Sequence, residues 1–218
     1  MTMETDKELT LMKSRSSQAC IRDGYKFYAA GFRQIFRYTW PLAVVFAILS
    51  ATASALPVLV SPALLLPGIG LALVSVVLLL YAASRQLHKR QLLQKTELKP
   101  ALWLRHLGMV LLVGIVCLFV VSVLAMLTCL PTVIMMAANW QSQMGVFNGD
   151  PSGMPEYVKW LTIAVFLLAG FIQAYVWLTF IGPTYMLRGS IAQREKEKKE
   201  FNIKKNTKNE EKALIYRP

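Results

Sequence analysis

Charge is missing from four long stretches of this chain, at about 41–60, 63–83, 107–130 and 160–185, although the sequence holds 24 Lys and Arg and 12 Asp and Glu. Proton relays, ion sites and voltage sensors at membrane depth are built on ionisable groups, so this absence argues against all three. Cysteine is scarce, with only Cys20, Cys117 and Cys129. The last two lie 12 residues apart, about 18 Å on one helix and too far for a disulfide. No CxxC or CxxxxC spacing suggests a metal, and the cysteines read as small buried hydrophobes. Histidine is limited to His88 and His106, each among cations, and both read as solvated surface. No GxxxxGK[ST], HExxH or GxSxG pattern occurs, and no paired carboxylates sit at an interface. Gly68-Ile-Gly70 is a glycine fragment inside an apolar hairpin, not a phosphate cradle. Asp150 and Glu156 share a turn-rich loop and read as solvated rather than as Ca²⁺ ligands. The inverted repeat of many transporters is missing. So is an aromatic-basic nucleic-acid module, which leaves the net charge of +12 without that explanation. Residues 1–20 lack an apolar core of signal-peptide type. The expectation is no cleavable signal, with the first span directing insertion.

What is present is apolar length. Each uncharged stretch has about the 20 residues that a helix needs to cross a bilayer. Hydrophobic residues make up 55% and charged residues 17%, against about 45–50% and about 25% in soluble domains. The cations are unevenly placed. Residues 1–39 carry seven, 84–106 six and 188–218 ten, whereas 139–159 carries only Lys159. Lys and Arg accumulate on the cytoplasmic side. Both termini and 84–106 are therefore expected inside, and 139–159 outside, with the basic rim facing anionic lipid.

Along the chain, Tyr25, Tyr28, Ala29, Phe32, Ile35 and Phe36 recur at helical spacing, with Arg22, Lys26, Arg33 and Arg37 on the other side. This predicts an amphipathic helix over 21–38 in the headgroup region. Packing of the stripe on the chain's own spans is the alternative. Trp40-Pro41 starts span one. The apolar run 41–83 needs a turn, placed at 57–62 because a turn at 67–70 leaves too few residues for a second crossing. Pro67 and Gly68 then fall inside span two and are expected to kink it. Ala43, Ala47, Ala51 and Ala55 form a small-residue face on span one, with span two (Gly68, Ala72, Ser75) as the expected partner. Residues 85–94 are expected to extend span two, and Lys99-Pro100 to break it. Span three is expected to bend or break at Leu130-Pro131, leaving open whether 131–138 continue it. Span four is expected to end at Gly182-Pro183. Trp40 and Trp103 at inner boundaries, with Trp140 and Trp160 at outer ones, form aromatic belts. Gln173 is the strongly polar residue deep in a span, expected to bond a neighbouring helix. The Lys/Glu tract from Gln193 onward is expected to be a mobile tail.

The stretches AAGFRQIFRYTWPLAVV (29–45) and LKPALWLRHLGMVLLV (98–113) share a pattern, an amphipathic lead-in running straight into an apolar span. In this the chain resembles bacterial multi-span membrane proteins. It is similar to the membrane domains that accompany some glycerophosphodiester phosphodiesterases. The resemblance implies a helical membrane fold. No catalytic phosphodiesterase residue is present in this sequence, so no activity is implied.

The reading is an all-α integral membrane protein with four transmembrane helices and an N-terminal amphipathic interfacial helix. Residues 1–20 form a disordered tail, 21–188 the membrane domain and 189–218 a basic and acidic tail. The expected role is a non-catalytic scaffold or accessory subunit at the inner leaflet of a bacterial cytoplasmic membrane. The alternative is a small transporter or channel subunit acting as an oligomer, drawing on Gln173, Thr162, Ser122, Thr128 and Ser75. No catalytic, cofactor-binding or metal residue and no cofactor is expected. Expected partners are the bilayer, with anionic lipid at its cytoplasmic face, and a second membrane protein or a further copy of the chain. Nucleic acid is not among them.

Overall fold

The structure, a computed structural model, describes residues 13–90, 92–93, 100–149 and 155–215. The first 12 residues of the expected tail, the connection at 94–99, the turn at 150–154 and the last three residues lie outside the described set. Among the described residues there are helices and no strand. Four helical segments are long and apolar enough to cross a membrane.

Helix α1 spans Ser17–Ala55, or 39 residues, about 58 Å along its axis. It is continuous, so the stripe-bearing segment and the apolar span are one rod with Pro41 inside. A π-helical turn, Leu56–Val60, and a short 3₁₀ turn, Pro62–Leu64, reverse the chain into α2, Leu65–Lys89. Proline dictates the form of this reversal. Pro57 has no N–H, so the Ala53 carbonyl loses its usual helical donor. The chain widens instead, and the Ser61 N–H reaches the Leu56 carbonyl at 3.3 Å.

Pro67 does not kink α2. It sits in the first turn, where no helical N–H bond is lost and proline is tolerated. The helix also ends sooner than its charge pattern suggests, with Arg90 as its cap.

Helix α3, Pro100–Arg105, begins on its proline, and α4, Leu107–Phe147, follows after His106. The 41 residues of α4 run unbroken through Pro131. Residues 131–138 therefore belong to the same helix, which goes on for nine residues into the expected outer loop. Helix α5, Glu156–Leu178, ends in a turn at Thr179 and Phe180 before α6, Ile181–Ile215. The break thus precedes Gly182-Pro183, which sits in the first turn of α6 for the same reason as Pro67 in α2. The Lys/Glu tract is helical to Ile215.

The chain divides into two compact units. One comprises the described parts of Met1–Lys26, Lys95–Ile115 and Gly182–Pro218, the other those of Phe27–Gln94 and Val116–Ile181. In the second unit small residues set the helix contacts. Gly170 of α5 meets Ala47 of α1, where an added Cβ would lie 3.1 Å from the Ala47 Cα. Gly68 of α2 faces the Ala53 carbonyl, the group freed by Pro57, at 2.7 Å from an added Cβ. The alanine face is buried at Ala43, Ala47 and Ala51. Its close approach at Ala47 is to α5, while α2 takes the neighbouring face at Ala53. Four-residue spacing marks a close-packing face but carries no partner label.

Large apolar side chains point outward along the long helices. Leu66 is 79% exposed, Phe119 67% and Met126 74%. In the most apolar windows of α2 and α4 only 17% of residues are buried. An apolar exterior on this scale is unfavourable in water, at roughly 25 cal/mol per Å².

Candidate functional site

Polar side chains are rare in the apolar helices, and most can be followed to a partner. In the second unit, Gln173 Nε2 donates to Cys129 Sγ, an α5–α4 link. Thr162 Oγ1 donates to the Val158 carbonyl at 2.8 Å, and Asn139 Nδ2 donates to Thr162 Oγ1 at 3.0 Å. Ser75 is buried, and its hydroxyl donates to the Ala72 carbonyl at 2.7 Å. Thr128 Oγ1 donates to the carbonyls of Leu124 and Ala125, and Ser122 is exposed. These five candidates are not brought together. Gln173, Thr162, Ser75 and Thr128 are each bonded within their own helix or to one neighbour, and no bond joins two of the five among the described residues.

Asn139 was not legible as a buried group. The expected outer loop begins at 139, yet Asn139 is fully buried and bonds the Met135 carbonyl at 2.6 Å as well as Thr162. The missed signal is the helical period itself. Asn139 follows Thr128, Thr132 and Met135 at spacings of four, three and four, so it falls on the inward face if the helix continues.

The aromatic stripe is divided between interior and exterior. Tyr28 and Ile35 are buried, whereas Phe32 and Phe36 are exposed. Tyr28 Oη donates to the Tyr175 carbonyl at 3.0 Å. Phe36 stacks on Tyr175 with ring centroids 5.2 Å apart, and Phe171 meets Phe36 edge-on. The stripe thus packs on α5, and the Phe32 and Phe36 rings both touch Tyr175 while each stays partly exposed.

In the first unit, ionic and hydrogen bonds tie three segments distant in sequence. Arg15 is buried, and its Nε lies 3.1 Å from Asp23 Oδ2. The Arg15 N–H donates to Ser190 Oγ at 2.9 Å, and Arg194 Nη2 donates to the Arg15 carbonyl at 2.6 Å. Glu195, 12% exposed at its side chain, accepts from Arg105 Nη1 at 3.4 Å and faces His106 Nε2 at 3.3 Å. The Arg188 guanidinium lies over the Trp103 ring. His106 is therefore paired rather than solvated. His88 also has a partner, the Leu93 carbonyl, 2.9 Å from its Nδ1.

The tightest approach in this unit is at Gly24, where an added Cβ would lie 2.4 Å from the Cα and N of Pro183. Cys20 is buried one turn away, and burial pushes its thiol pKa above the ordinary value. No group of three His, Cys, Asp or Glu residues is placed to hold a metal among the described residues.

No protein-family model, curated protein or solved structure matches this chain.

Proposed function

We propose that this chain is an integral protein of the bacterial cytoplasmic membrane, with both termini inside, acting without catalysis as a scaffold or accessory subunit at the inner leaflet. The observation that carries the reading is the joint placement of charge and bonds. Twenty-three of the 24 Lys and Arg fall in 1–39, 84–106 and 188–218. Residues from those same three segments are joined in one compact unit through Arg15, Asp23, Arg105, His106, Ser190, Arg194 and Glu195. A cross-linked basic assembly of this kind suits a face that holds partners or anionic lipid in place. Gln173, Thr162, Ser75 and Thr128 are bonded within or between helices, which suits a packed interior better than a path for solute.

Two measurements test this. With the native cysteines replaced by serine, a cysteine at Asn148 reacts with an impermeant reagent in intact cells, and one at Lys196 reacts only after permeabilisation. Labelling of Lys196→Cys from outside sinks the orientation. The purified chain in sealed vesicles leaves ion and solute leak at the background rate. Flux above that rate moves the assignment to a channel or transporter subunit.

A further inference from the structure

The end of α2 carries Arg85, Lys89 and Arg90, which line a cavity of about 510 Å³ together with Tyr81, Ala82 and Gln86. That volume lies within the roughly 300–1,000 Å³ typical of small-molecule sites. Arg85, Lys89 and Arg90 make no ion pair among the described residues. The one acidic side chain in the described part of this unit is Glu156, in the first turn of α5.

Two contacts fix the geometry. Gln86 Nε2 donates to the Tyr38 carbonyl at 2.8 Å, tying α2 to α1. The Arg90 guanidinium lies 5.2 Å from the centroid of the Tyr38 ring. Stacking occupies the face of a guanidinium and leaves its in-plane N–H groups free to fork onto phosphate oxygens.

The residues leading up to this cavity have the opposite character. Positions 74, 78, 81, 85 and 89 are spaced by three and four, so they share one helix face. Val74, Leu78 and Tyr81 on that face are exposed. Leu78 to Lys89 covers about 16 Å of axis. An apolar rail, an aromatic ring and then three cations follow the order of an acyl chain, a membrane interface and a phosphate headgroup.

We propose that the C-terminal end of α2 is a binding site for the phosphate headgroup of an anionic phospholipid. Arg85, Lys89 and Arg90 hold the phosphate, and one acyl chain lies along Val74, Leu78 and Tyr81. The site rests on the inside orientation of 84–106 proposed above, and it gives the general attraction of a basic face a specific address.

The test uses the full chain, purified and delipidated in neutral detergent and titrated with phosphatidylglycerol by native mass spectrometry. Arg85→Gln/Lys89→Gln/Arg90→Gln weakens binding about a hundredfold, from roughly fivefold per cation near a phosphate. Lys196→Gln/Lys198→Gln/Lys199→Gln removes the same charge from α6 and changes binding by less than about twofold, the residue of screened long-range attraction. Arg85→Lys/Arg90→Lys keeps the charge but loses the fork, and gives an intermediate loss with an unchanged melting temperature. Equal weakening by the two glutamine triples overturns the site in favour of diffuse charge. Displacement of the lipid by millimolar inorganic phosphate overturns the lipid assignment in favour of a soluble anion. Binding in detergent does not depend on orientation, so cysteine labelling that puts 84–106 outside overturns the topology while the binding difference stands.

Discussion

Gly24→Ala is the smallest change with a large expected effect. The new methyl carbon would sit 2.4 Å from both Cα and N of Pro183 and 2.8 Å from the carbonyl carbon of Gly182. Ordinary contact begins near 3.4 Å, so the two backbones must separate by about 1 Å. None of these atoms belongs to a flexible side chain that can swing aside. In a helix interior Gly→Ala gains about 1 kcal/mol through propensity alone. Overpacking of a close contact costs about 1–3 kcal/mol, occasionally more. The clash exceeds the gain, because Pro183 sits in the start of a helix that, about two and three turns on, carries Ser190 and Arg194, both bonded to Arg15. Gly70→Ala and Gly114→Ala are the controls, since nothing lies within 4 Å of a Cβ at either position. They receive the propensity term without the clash. The expected gap between Gly24→Ala and these controls is about 3 kcal/mol. At about 2–4 °C per kcal/mol for a chain of this size, that is a difference of about 6–12 °C in melting temperature. Thermal melts of the three variants in one detergent, at one scan rate, measure it. A Gly24→Ala protein that melts with the controls would refute the close approach of α1 to α6.

Ala47→Leu should destabilise the chain by about 1–3 kcal/mol through overpacking against Gly170, whereas Ala51→Leu should cost less, because Ala51 borders an apolar groove of about 410 Å³; equal losses in thermal melts would count against this difference. Thr162→Val should cost about 0.6 kcal/mol in the native background, the size typical of an interhelical hydrogen bond, and nothing in an Asn139→Leu background, which a double-mutant cycle reads directly. Cys20 is fully buried with its thiol pKa raised, so less thiolate exists at neutral pH than in a free cysteine. Maleimide should modify it slowly in the folded protein, faster only as the pH climbs past the ordinary thiol range, and rapidly once denatured; neutral-pH labelling at the rate of a free thiol would show the start of α1 leaving α6.

What the sequence made legible was the part governed by solvent. Four uncharged apolar runs can be counted without knowing any contact, and four helices long and apolar enough to cross a membrane are present. Proline was the less legible element, because its effect depends on its position within a helix. Pro67 and Pro183 fall in first turns and break nothing, while Pro41 and Pro131 stand inside long helices that continue past them. At Pro57 the same missing N–H reshapes the chain, and there the freed Ala53 carbonyl lies against the only residue type that leaves it room, Gly68. Placing the outer loop at 139 cut short a helix that runs on to Phe147, and so put Asn139 in a loop.

Ionic partners were illegible for a different reason. His106 and Glu195 are 89 residues apart, and nothing local in either segment names the other. The described cations that do find acids, Arg15 and Arg22 with Asp23 and Arg105 with Glu195, belong to the unit that gathers three distant segments. Arg85, Lys89 and Arg90 sit in a unit with almost no described acid to meet them. In the sequence, all of these residues look alike as cations of inside connections. Among the described residues the structure separates cations held in ion pairs from those without one, and the proposed headgroup site draws on the second kind.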